Sequence, residues 1–298
     1  MPNTIEAYLV ELRGALAGAD PALVQDATYD AEEYLRSAVA EAGGTPEAVA
    51  GAIEAYGTPA EIAAAYKETE RTVTAALRRP APATTSTNPF LRFFGIVADP
   101  SAWGALAYML LSLATGVLYF TVVVTGLSLS LGLMILIIGV PITLLFIGAV
   151  RAISLAEGRI VEGLLGQRMP RRPRTVVVAD GTFWGRIKAW FSDYRTWTTM
   201  LYMLLMLPLG IAYFTVIVTA LSLSLATFAA PIVQWTLDTP IVRINEWGYL
   251  IEPWGAPLFF AGGMLGFFVT MWMAKGVGYL HGLFAKVMLV GRFEGVDR

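Results

Sequence analysis

The sequence predicts an all-α protein: a small soluble helical bundle followed by a four-span α-helical membrane domain made of two parallel sequence repeats with interfacial helices. Two observations about composition support this. Only 15% of the 298 residues are charged and 56% are hydrophobic, whereas about a quarter of a soluble domain is charged. The long apolar runs almost all follow residue 100, and one apolar stretch is written twice, at Phe120–Leu131 and Phe214–Leu225.

Residues 1–72 form the predicted soluble bundle of three or four short helices. The first helix carries apolar residues at helical spacing, namely Ile5, Tyr8, Leu9, Leu12 and Leu16. Each later helix has a start signal in which a capping residue precedes proline: Asp20-Pro21, Thr45-Pro46 and Thr58-Pro59. Glu61 lies three residues after Thr58, so the pair predicts a capping box. Residues 73–89, rich in Pro, Ala, Thr and Ser, are predicted to be a linker.

The bundle also carries a family resemblance. The runs YLVELRGAL, YDAEEYLRSAVAEAG and AIEAYGTPAEIAAAY are similar to the HTH-associated alpha-helical signalling (HAAS) domain. This resemblance implies a cytoplasmic adaptor whose partner is a winged-helix transcription regulator of the PadR type, and it implies no direct nucleic-acid binding by this chain. A generic helical bundle that serves only folding or oligomerisation is the alternative.

Four segments are long and apolar enough to cross a bilayer, which takes about 20 helical residues. Repeat 1 (residues 90–175) contains spans 103–125 and 129–150, and repeat 2 (residues 176–292) contains spans 198–220 and 257–280. An aromatic and basic interfacial helix precedes the first span of each repeat. The polar stretch 226–256 is predicted to be an outer loop because prolines and charges interrupt it.

Orientation follows from the Lys and Arg residues. Of the 17 basic residues from Arg78 onward, 16 lie inside if both termini are cytoplasmic. The connection between spans two and three dominates this count, and its basic residues are candidates for contact with anionic lipids: Arg168, Arg171, Arg172, Arg174, Arg186 and Lys188. Topology alone is the simpler explanation of that cluster. The sequence therefore predicts a multi-pass protein of the bacterial inner (cytoplasmic) membrane.

The sequence identity between the two repeats can be counted. Residues 99–131 match 193–225 at 19 of 33 positions without gaps, at an offset of 94. Downstream the offset is about 124, so that His281 and Lys286 stand where Glu157 and Glu162 stand in repeat 1. Both copies start on the same side of the membrane, unlike the inverted repeats of many transporters.

The repeats bring a second resemblance. The run from Asp99 to Gly166, with D-x-x-x-W, the aromatic-F-T run and the glycine-proline of the second span, resembles a bacterial sensor transmembrane domain. The resemblance covers about residues 90–292 and implies a sensory role. The second copy lacks the glycine-proline and the acidic positions, which puts any function of those positions in doubt for that half.

Two groups of polar residues are candidates for function. The outer loop offers a stimulus site, with the candidates Trp235, Asp238, Arg243, Glu246, Trp247, Glu252 and Trp254, although an aromatic belt at the membrane surface explains the tryptophans equally well. The hydroxyl residues of the repeat favour helix packing and turn formation: Thr121, Thr125, Ser128, Thr215, Thr219 and Ser222. Glu157 is expected on the cytoplasmic extension of span two, either paired with basic residues of a neighbouring helix or on a solvated helix face. His281 is expected at the interface, where pH sensing is the alternative to a purely amphipathic role. Lys275 is expected to extend its ammonium group to the interface.

The sequence lacks residue types that many catalytic and metal-binding sites require. It has no cysteine and a single histidine, which excludes thiolate sites and histidine clusters within one chain. We find no motif for catalysis, cofactor binding or metal binding. The hypothesis is a non-enzymatic membrane sensor that couples a membrane or external stimulus to a PadR-type regulator, with membrane lipids as further partners and a homo-oligomer left open. The alternatives are a small transporter or channel, and a structural membrane protein that organises lipids.

Overall fold

The computed structural model describes residues 2–77, 89–133, 139–173, 193–238, 240, 242–244 and 247–290. The N-terminal bundle consists of α1 (Ile5–Ala15), α2 (Pro21–Glu41), α3 (Pro46–Tyr56) and α4 (Pro59–Leu77). The membrane domain consists of α5 (Pro89–Phe94), a short 3₁₀ helix (Gly95–Ala98), α6 (Pro100–Gly132), α7 (Gly139–Leu165), α8 (Tyr194–Leu237) and α9 (Ala256–Leu289). The predicted all-α class is confirmed. A small antiparallel hairpin, β1 (Val242–Ile244) and β2 (Trp247–Tyr249), is added in the outer loop.

The bundle folds as its caps and apolar spacing predict. Thr4 accepts a hydrogen bond from the backbone N–H of Ala7 at the start of α1. At the start of α4, Thr58 Oγ1 accepts from the N–H of Glu61, and Glu61 Oε2 accepts from the N–H of Thr58 at 3.0 Å. The predicted capping box is therefore confirmed. A continuous apolar core fills the bundle, built around the fully buried Tyr8, Leu9, Leu12, Leu16 and Leu35.

Helix α4 continues to Leu77 and takes up the first residues of the predicted linker, while residues 78–88 lie outside the described part of the chain. Helix α5 and the 3₁₀ helix occupy the place of the first predicted interfacial helix, and Phe90 and Leu91 are exposed there. The second predicted interfacial helix, near residues 184–192, also lies outside the described residues.

Helices α6, α7, α8 and α9 are all long and apolar enough to cross a membrane. They are longer than the predicted spans. The 33 residues of α6 measure about 50 Å at 1.5 Å per residue, compared with roughly 30 Å of hydrocarbon. Helix α8 runs to Leu237 through Pro231, so the first part of the predicted outer loop is helical. Pro231 has no backbone N–H to donate, yet the helix continues for six residues beyond it.

Four helix ends lie beside the N-terminal bundle; we call this the bundle side of the membrane domain. Gly104, near the start of α6, packs against the carbonyl of Leu164 near the end of α7. Thr198, near the start of α8, donates to the carbonyl of Met288 near the end of α9 at 3.1 Å. Helices α6 and α8 therefore start on the bundle side and α7 and α9 end there, which is the predicted arrangement of parallel repeats.

Helices α6 and α8 approach each other closely at two glycines. A methyl group added at Gly116 would lie 2.5 Å from the carbonyl oxygen of Met206, and one at Gly210 would lie 2.3 Å from that of Ser112. Gly116 and Gly210 are equivalent positions of the repeat, as are Ser112 and Met206. The contact is therefore pseudo-symmetric, and small residues allow it.

Candidate functional site

Six polar side chains from four helices meet inside the membrane domain. Glu157 of α7 and His281 of α9 are 1% and 2% exposed. The others are tyrosines: Tyr108 and Tyr119 of α6, and Tyr202 and Tyr213 of α8. We call these six residues the Glu–His cluster. A buried carboxylate is costly unless hydrogen bonds satisfy it, so the bonding of Glu157 decides whether this arrangement is stable.

Glu157 accepts three hydrogen bonds from tyrosine hydroxyls. Tyr108 and Tyr202 donate to its Oε1 atom at 2.6 and 2.7 Å, and Tyr119 donates to Oε2 at 2.7 Å. Bonds from hydroxyls to a carboxylate are short and strong because the acceptor is charged. The three tyrosine hydroxyls therefore satisfy both oxygens of the buried Glu157 carboxylate.

His281 lies on the other side of the same tyrosines. Its Nε2 atom is 2.7 Å from the hydroxyl of Tyr108 and 3.1 Å from that of Tyr202, and its Nδ1 atom is 3.2 Å from the hydroxyl of Tyr213. Because the hydroxyls of Tyr108 and Tyr202 donate to Glu157, their oxygens accept from an Nε2–H group. The hydroxyl of Tyr213 then donates to Nδ1, which gives a fully paired network with a neutral imidazole.

The cluster contains equivalent positions of the two repeats. Tyr108 and Tyr202 correspond at the offset of 94, and so do Tyr119 and Tyr213. Glu157 and His281 correspond at the downstream offset of 124. Tyr119 bonds Glu157 within repeat 1 as Tyr213 bonds His281 within repeat 2, so an acid in one half faces a base in the other.

The position of this cluster corrects two expectations from the sequence. Glu157 was expected to pair with basic residues of a neighbouring helix or to lie on a solvated face, and His281 was expected at the interface. Both are buried about two helical turns from the bundle-side ends of their helices, and the partners of Glu157 are tyrosines. Hydropathy does not predict this burial because it scores each residue alone, whereas Glu157 and His281 are stabilised by hydrogen bonds to tyrosines of other helices. The offset of 124 that pairs Glu157 with His281 is the signal that could have located the cluster.

The N-terminal bundle is attached to the membrane domain by a second polar site. The connection after α7, residues 166–173, carries Arg168, whose guanidinium group contacts Asp26 at 3.0 Å and Glu70 at 2.9 Å. Asp26 Oδ1 also accepts the backbone N–H groups of Arg171 and Arg172, at 2.7 and 2.8 Å. We call residues 166–173 the inner segment. One buried carboxylate of α2 thus organises the backbone of the inner segment around itself.

Further contacts surround this attachment. Arg172 pairs with Asp30 at 2.8 Å, and its guanidinium group lies 5.8 Å from the ring centre of Tyr29. The carbonyl of Arg172 accepts from Gln25 at 2.8 Å. Lys286, near the end of α9, pairs with Asp20 at 2.5 Å. The bundle therefore contacts the inner segment and the last turn of α9 simultaneously.

Burial and charge act in opposite directions on the central pair of the attachment. Burial raises the pKa of Asp26, and the donors from Arg172, Arg171 and Arg168 offset this only in part. Burial alone would lower the pKa of Arg168, but the carboxylates of Glu70, Asp26 and Glu162 hold it above its ordinary value. Each group also has other partners: Asp26 accepts two backbone N–H groups of the inner segment, and Arg168 contacts Glu70 and Glu162.

The family models match both parts of the chain. The model described as "Putative sensor" matches residues 108–289, which include every member of the Glu–His cluster. The chain belongs to this sensor family. The HAAS model matches residues 7–65, so the N-terminal bundle is a HAAS domain, and both resemblances inferred from the sequence are confirmed. Comparison with curated proteins and with solved structures gave no match.

These assignments make the protein a multi-pass membrane protein with a sensor domain and a HAAS domain, and they support a signalling role. Neither family is catalytic. Within the part of the chain that the structure describes, no group of three or more His, Asp or Glu side chains is arranged to hold a metal ion.

The outer loop of the sensor domain is only partly described. Trp235 and Trp254 are 57% and 76% exposed, Glu252 is exposed, and Asp238 ends α8 with a left-handed backbone, φ 48°. Arg243 and Trp247 belong to the hairpin strands, and Glu246 lies outside the described residues. Of the described side chains, Glu252 and Trp254 line a common apolar pocket, and Trp235 packs against Phe260. Gln234, which the sequence interpretation missed, binds both backbone groups of Ile251, at 2.8 and 3.0 Å.

The hydroxyl residues of the repeat do not lie between helices of the sensor domain. Six of them are exposed: Thr121, Thr125, Ser128, Thr215, Thr219 and Ser222. Thr121 donates to the carbonyl of Val117 one turn earlier, which the sequence allowed. The buried hydroxyls of the duplicated stretch are instead Ser130 and Ser224, because the helix rotation places alternate serines on opposite faces.

The basic residues of the connection between α7 and α8 are described only in part. Arg168, Arg171 and Arg172 lie in the inner segment and contact acidic groups of this chain. Arg174, Arg186 and Lys188 lie outside the described residues. Lys275, expected to extend to the interface, pairs at 2.6 Å with Asp99, the residue that precedes α6. Burial raises the pKa of Asp99, but hydrogen bonds from Lys275 and Ser101 outweigh this effect and lower the pKa.

Proposed function

We propose that this protein is a non-enzymatic signalling protein of the bacterial cytoplasmic membrane, in which the sensor domain controls whether its HAAS bundle is available to a PadR-type transcription regulator. The observation that carries the proposal is the attachment of the bundle through Asp26 and Arg168. A bundle bound to the sensor domain presents one set of surfaces to the cytoplasm and hides another. A change in the sensor domain that breaks this attachment therefore changes what a partner meets.

The attachment consists of a small number of polar contacts, which a modest movement of the inner segment can break. Arg168 contacts three carboxylates, from Asp26, Glu70 and Glu162, and only the last belongs to the sensor domain. The contacts between the two domains are mostly polar, and polar contacts between domains resemble transient interfaces more than permanent ones. A modest rearrangement of the inner segment removes several bonds together, because Asp26 binds three donors on it.

The charge distribution supports the orientation. The inner segment and the bundle lie on the same side as the helix ends that carry most Lys and Arg residues, and cytoplasmic segments carry such an excess. The outer loop, with exposed Trp254 and Leu258 beside an apolar pocket, then faces the outside and is available to a stimulus there.

The test is co-purification of the full-length protein in detergent with a co-expressed winged-helix regulator. Asp26→Ala removes the acceptor that holds the inner segment, so we expect several-fold more regulator to be recovered than with the wild type. Glu33→Ala is the matched control, because Glu33 is an exposed acid on the same helix. Recovery of no winged-helix regulator by either the wild type or Asp26→Ala would refute the proposal. Equal recovery by all three proteins would refute the role of the attachment.

A further inference from the structure

We propose that the Glu–His cluster is a proton-binding site of the membrane domain, and that the proton it takes up releases the inner segment from the HAAS bundle. The meaning of release for signalling rests on the function proposed above, but proton binding and release are properties of this chain alone. The inference depends on three features of the structure: the charges around the cluster, its hydrogen-bond count, and its contact with the inner segment.

Among the residues that the structure describes, no charged group outside the cluster faces it. Helix α6 contains no charged residue, and α8 contains only Arg195, next to its first residue. On α7, Glu162 pairs with Arg168 and Arg171, and Arg159 is exposed. On α9, Lys275 pairs with Asp99 and Lys286 with Asp20. Arg151 lines a cavity on the bundle side with Asp193. The groups that face the cluster are its own: Glu157, His281 and the four tyrosines.

The observed distances fit one protonation state completely. With Glu157 ionised and His281 neutral, each of the four tyrosine hydroxyls donates once, and the Nε2–H group donates to the oxygens of Tyr108 and Tyr202. This state carries one net negative charge in a buried site, which is costly in a membrane domain. One additional proton removes the net charge.

The additional proton has a defined place and a defined consequence. It binds the Nδ1 atom of His281, which is the only cluster nitrogen without hydrogen in the first state, and no covalent bond is broken. The Nδ1–H group then donates to Tyr213, whose own hydroxyl hydrogen loses its acceptor. A half-buried hydroxyl without a partner favours movement of α8 or α9, since an unpaired buried donor is costly.

A second place for the proton is Glu157. The hydroxyl of Tyr108 joins Glu157 Oε1 and His281 Nε2 at 2.6 and 2.7 Å, and that of Tyr202 makes a parallel link at 2.7 and 3.1 Å. A proton can therefore pass between base and acid by one hydroxyl relay. Either location leaves the cluster neutral and disturbs the tyrosine bonds of the first state.

The inner segment lies against the residues that follow Glu157 and His281. These residues are equivalent glycines, Gly158 and Gly282. A methyl group added at Gly158 would lie 3.4 Å from Cβ of Met169, and one at Gly282 would lie 2.5 Å from Cγ of Gln167. Met169 is fully buried, and the residue between these two contacts is Arg168, which binds Asp26.

Movement of α7 or α9 at the cluster therefore displaces the segment that holds the bundle. In the structure, the bundle is attached and the cluster has the hydrogen bonds of ionised Glu157 and neutral His281. Uptake of one proton changes those bonds, so we expect it to weaken the attachment. Acid also protonates the carboxylates of the attachment itself, so the contribution of the cluster must be measured by difference.

The first measurement uses the single histidine of the chain, in protein purified without a histidine tag. Histidine labelled with ¹⁵N in lipid nanodiscs gives the signals of His281 alone. We expect the Nε2–H tautomer at high pH and the imidazolium or the other tautomer as the pH is lowered in steps from about 8 to about 4, a range that includes the ordinary histidine pKa of about 6.5. Glu157→Gln is expected to displace the midpoint by about one pH unit or more, the usual effect of removing a neighbouring charge.

The second measurement is the distance between spin labels on the bundle and on α9. The chain has no native cysteine. Spin labels therefore attach only to the two cysteines introduced by Glu33→Cys and Leu280→Cys, both at exposed positions. We expect the distance to lengthen with the same midpoint as the His281 signals, and we expect His281→Asn to remove that phase while the carboxylate phase remains. Tyr213→Phe serves as a second variant if Glu157→Gln does not fold, and Tyr279→Phe, an exposed tyrosine on α9, is the control.

Two results would overturn the inference. His281 signals that stay constant over the whole pH range would show that the cluster takes up no proton. A distance change with an unaltered midpoint in His281→Asn would show that the cluster does not control the attachment. Neither result bears on recovery of a winged-helix regulator, so this inference and the proposed function fail separately.

Discussion

The close contact between α6 and α8 predicts that alanine is not tolerated at Gly116 or Gly210. Each added methyl group meets a backbone carbonyl oxygen, at 2.5 Å from Met206 and at 2.3 Å from Ser112. Backbone atoms do not rotate away as a flexible side chain does. The two helices must therefore separate by about 1 Å before the contact reaches an ordinary van der Waals distance.

The expected cost follows from two opposing effects. Overpacking of a tight interface costs about 1–3 kcal/mol. Replacing glycine by alanine within a helix returns up to about 1 kcal/mol of helix propensity. We therefore expect each variant to lose about 1–2 kcal/mol of stability. The two losses are expected to be similar because the positions are equivalent in the repeat.

Gly148→Ala is the matched control, because nothing lies within 4 Å of a methyl group added at this glycine of α7. It gains helix propensity without the clash, so it is expected to be as stable as the wild type or slightly more stable. Stability is measured by SDS titration of the purified protein in mild detergent micelles, followed by circular dichroism. If Gly116→Ala and Gly210→Ala unfold at the same SDS fraction as Gly148→Ala, the argument for a close backbone contact is wrong.

Three other predictions concern separate parts of the molecule. Thr58→Ala removes the capping box of α4 and should cost about 1 kcal/mol. The backbone N–H and the hydroxyl of Thr58 lower the pKa of Glu61, so their stabilisation is present above the unfolded pKa and is lost as pH falls through the folded pKa. The variant keeps the backbone donor and loses the hydroxyl, so a pH series of unfolding curves should show a smaller acid dependence than in the wild type. Gly282→Ala should displace Gln167 and lengthen the spin-label distance between bundle and α9 at neutral pH. Gln234→Ala leaves the buried backbone groups of Ile251 unpaired, which should cost about 1–3 kcal/mol locally and speed hydrogen exchange there.

Each of these has a control and a contradicting result. Gly276→Ala lies on the same helix in open space and should leave the spin-label distance unchanged. Thr236→Ala, at an exposed position beside Gln234, should not alter exchange at Ile251. A Thr58→Ala protein with the acid dependence of the wild type would exclude the capping interaction as its source.

The local features of this protein were predictable from the sequence. The capping box at Thr58 and Glu61 is confirmed because both partners lie within one helical turn, where spacing alone fixes their geometry. The four membrane helices and their parallel repeat followed from hydropathy and from the offset of 94. The two resemblances came from the same local patterns, and the family models confirm both.

The ends of the membrane helices were less predictable. Prolines and charges after residue 225 predicted a loop, but α8 continues to Leu237 through Pro231. A proline within a helix loses one backbone bond, and neighbouring helices and polar side chains compensate for it in a membrane. This compensation comes from packing, which periodicity does not report.

The tertiary structure alone decided where the polar residues act. Glu157 and His281 are 124 residues apart, and their shared partner Tyr108 lies on a third helix. Asp26 meets the inner segment more than 140 residues further along the chain. Hydropathy and periodicity assign each residue a face of its own helix, whereas a buried carboxylate is stable only if donors from other helices reach it. The sequence by itself therefore determined the four membrane helices and their parallel repeat, and the packing of those helices determined that an acid, a base and four tyrosines meet between the two repeats.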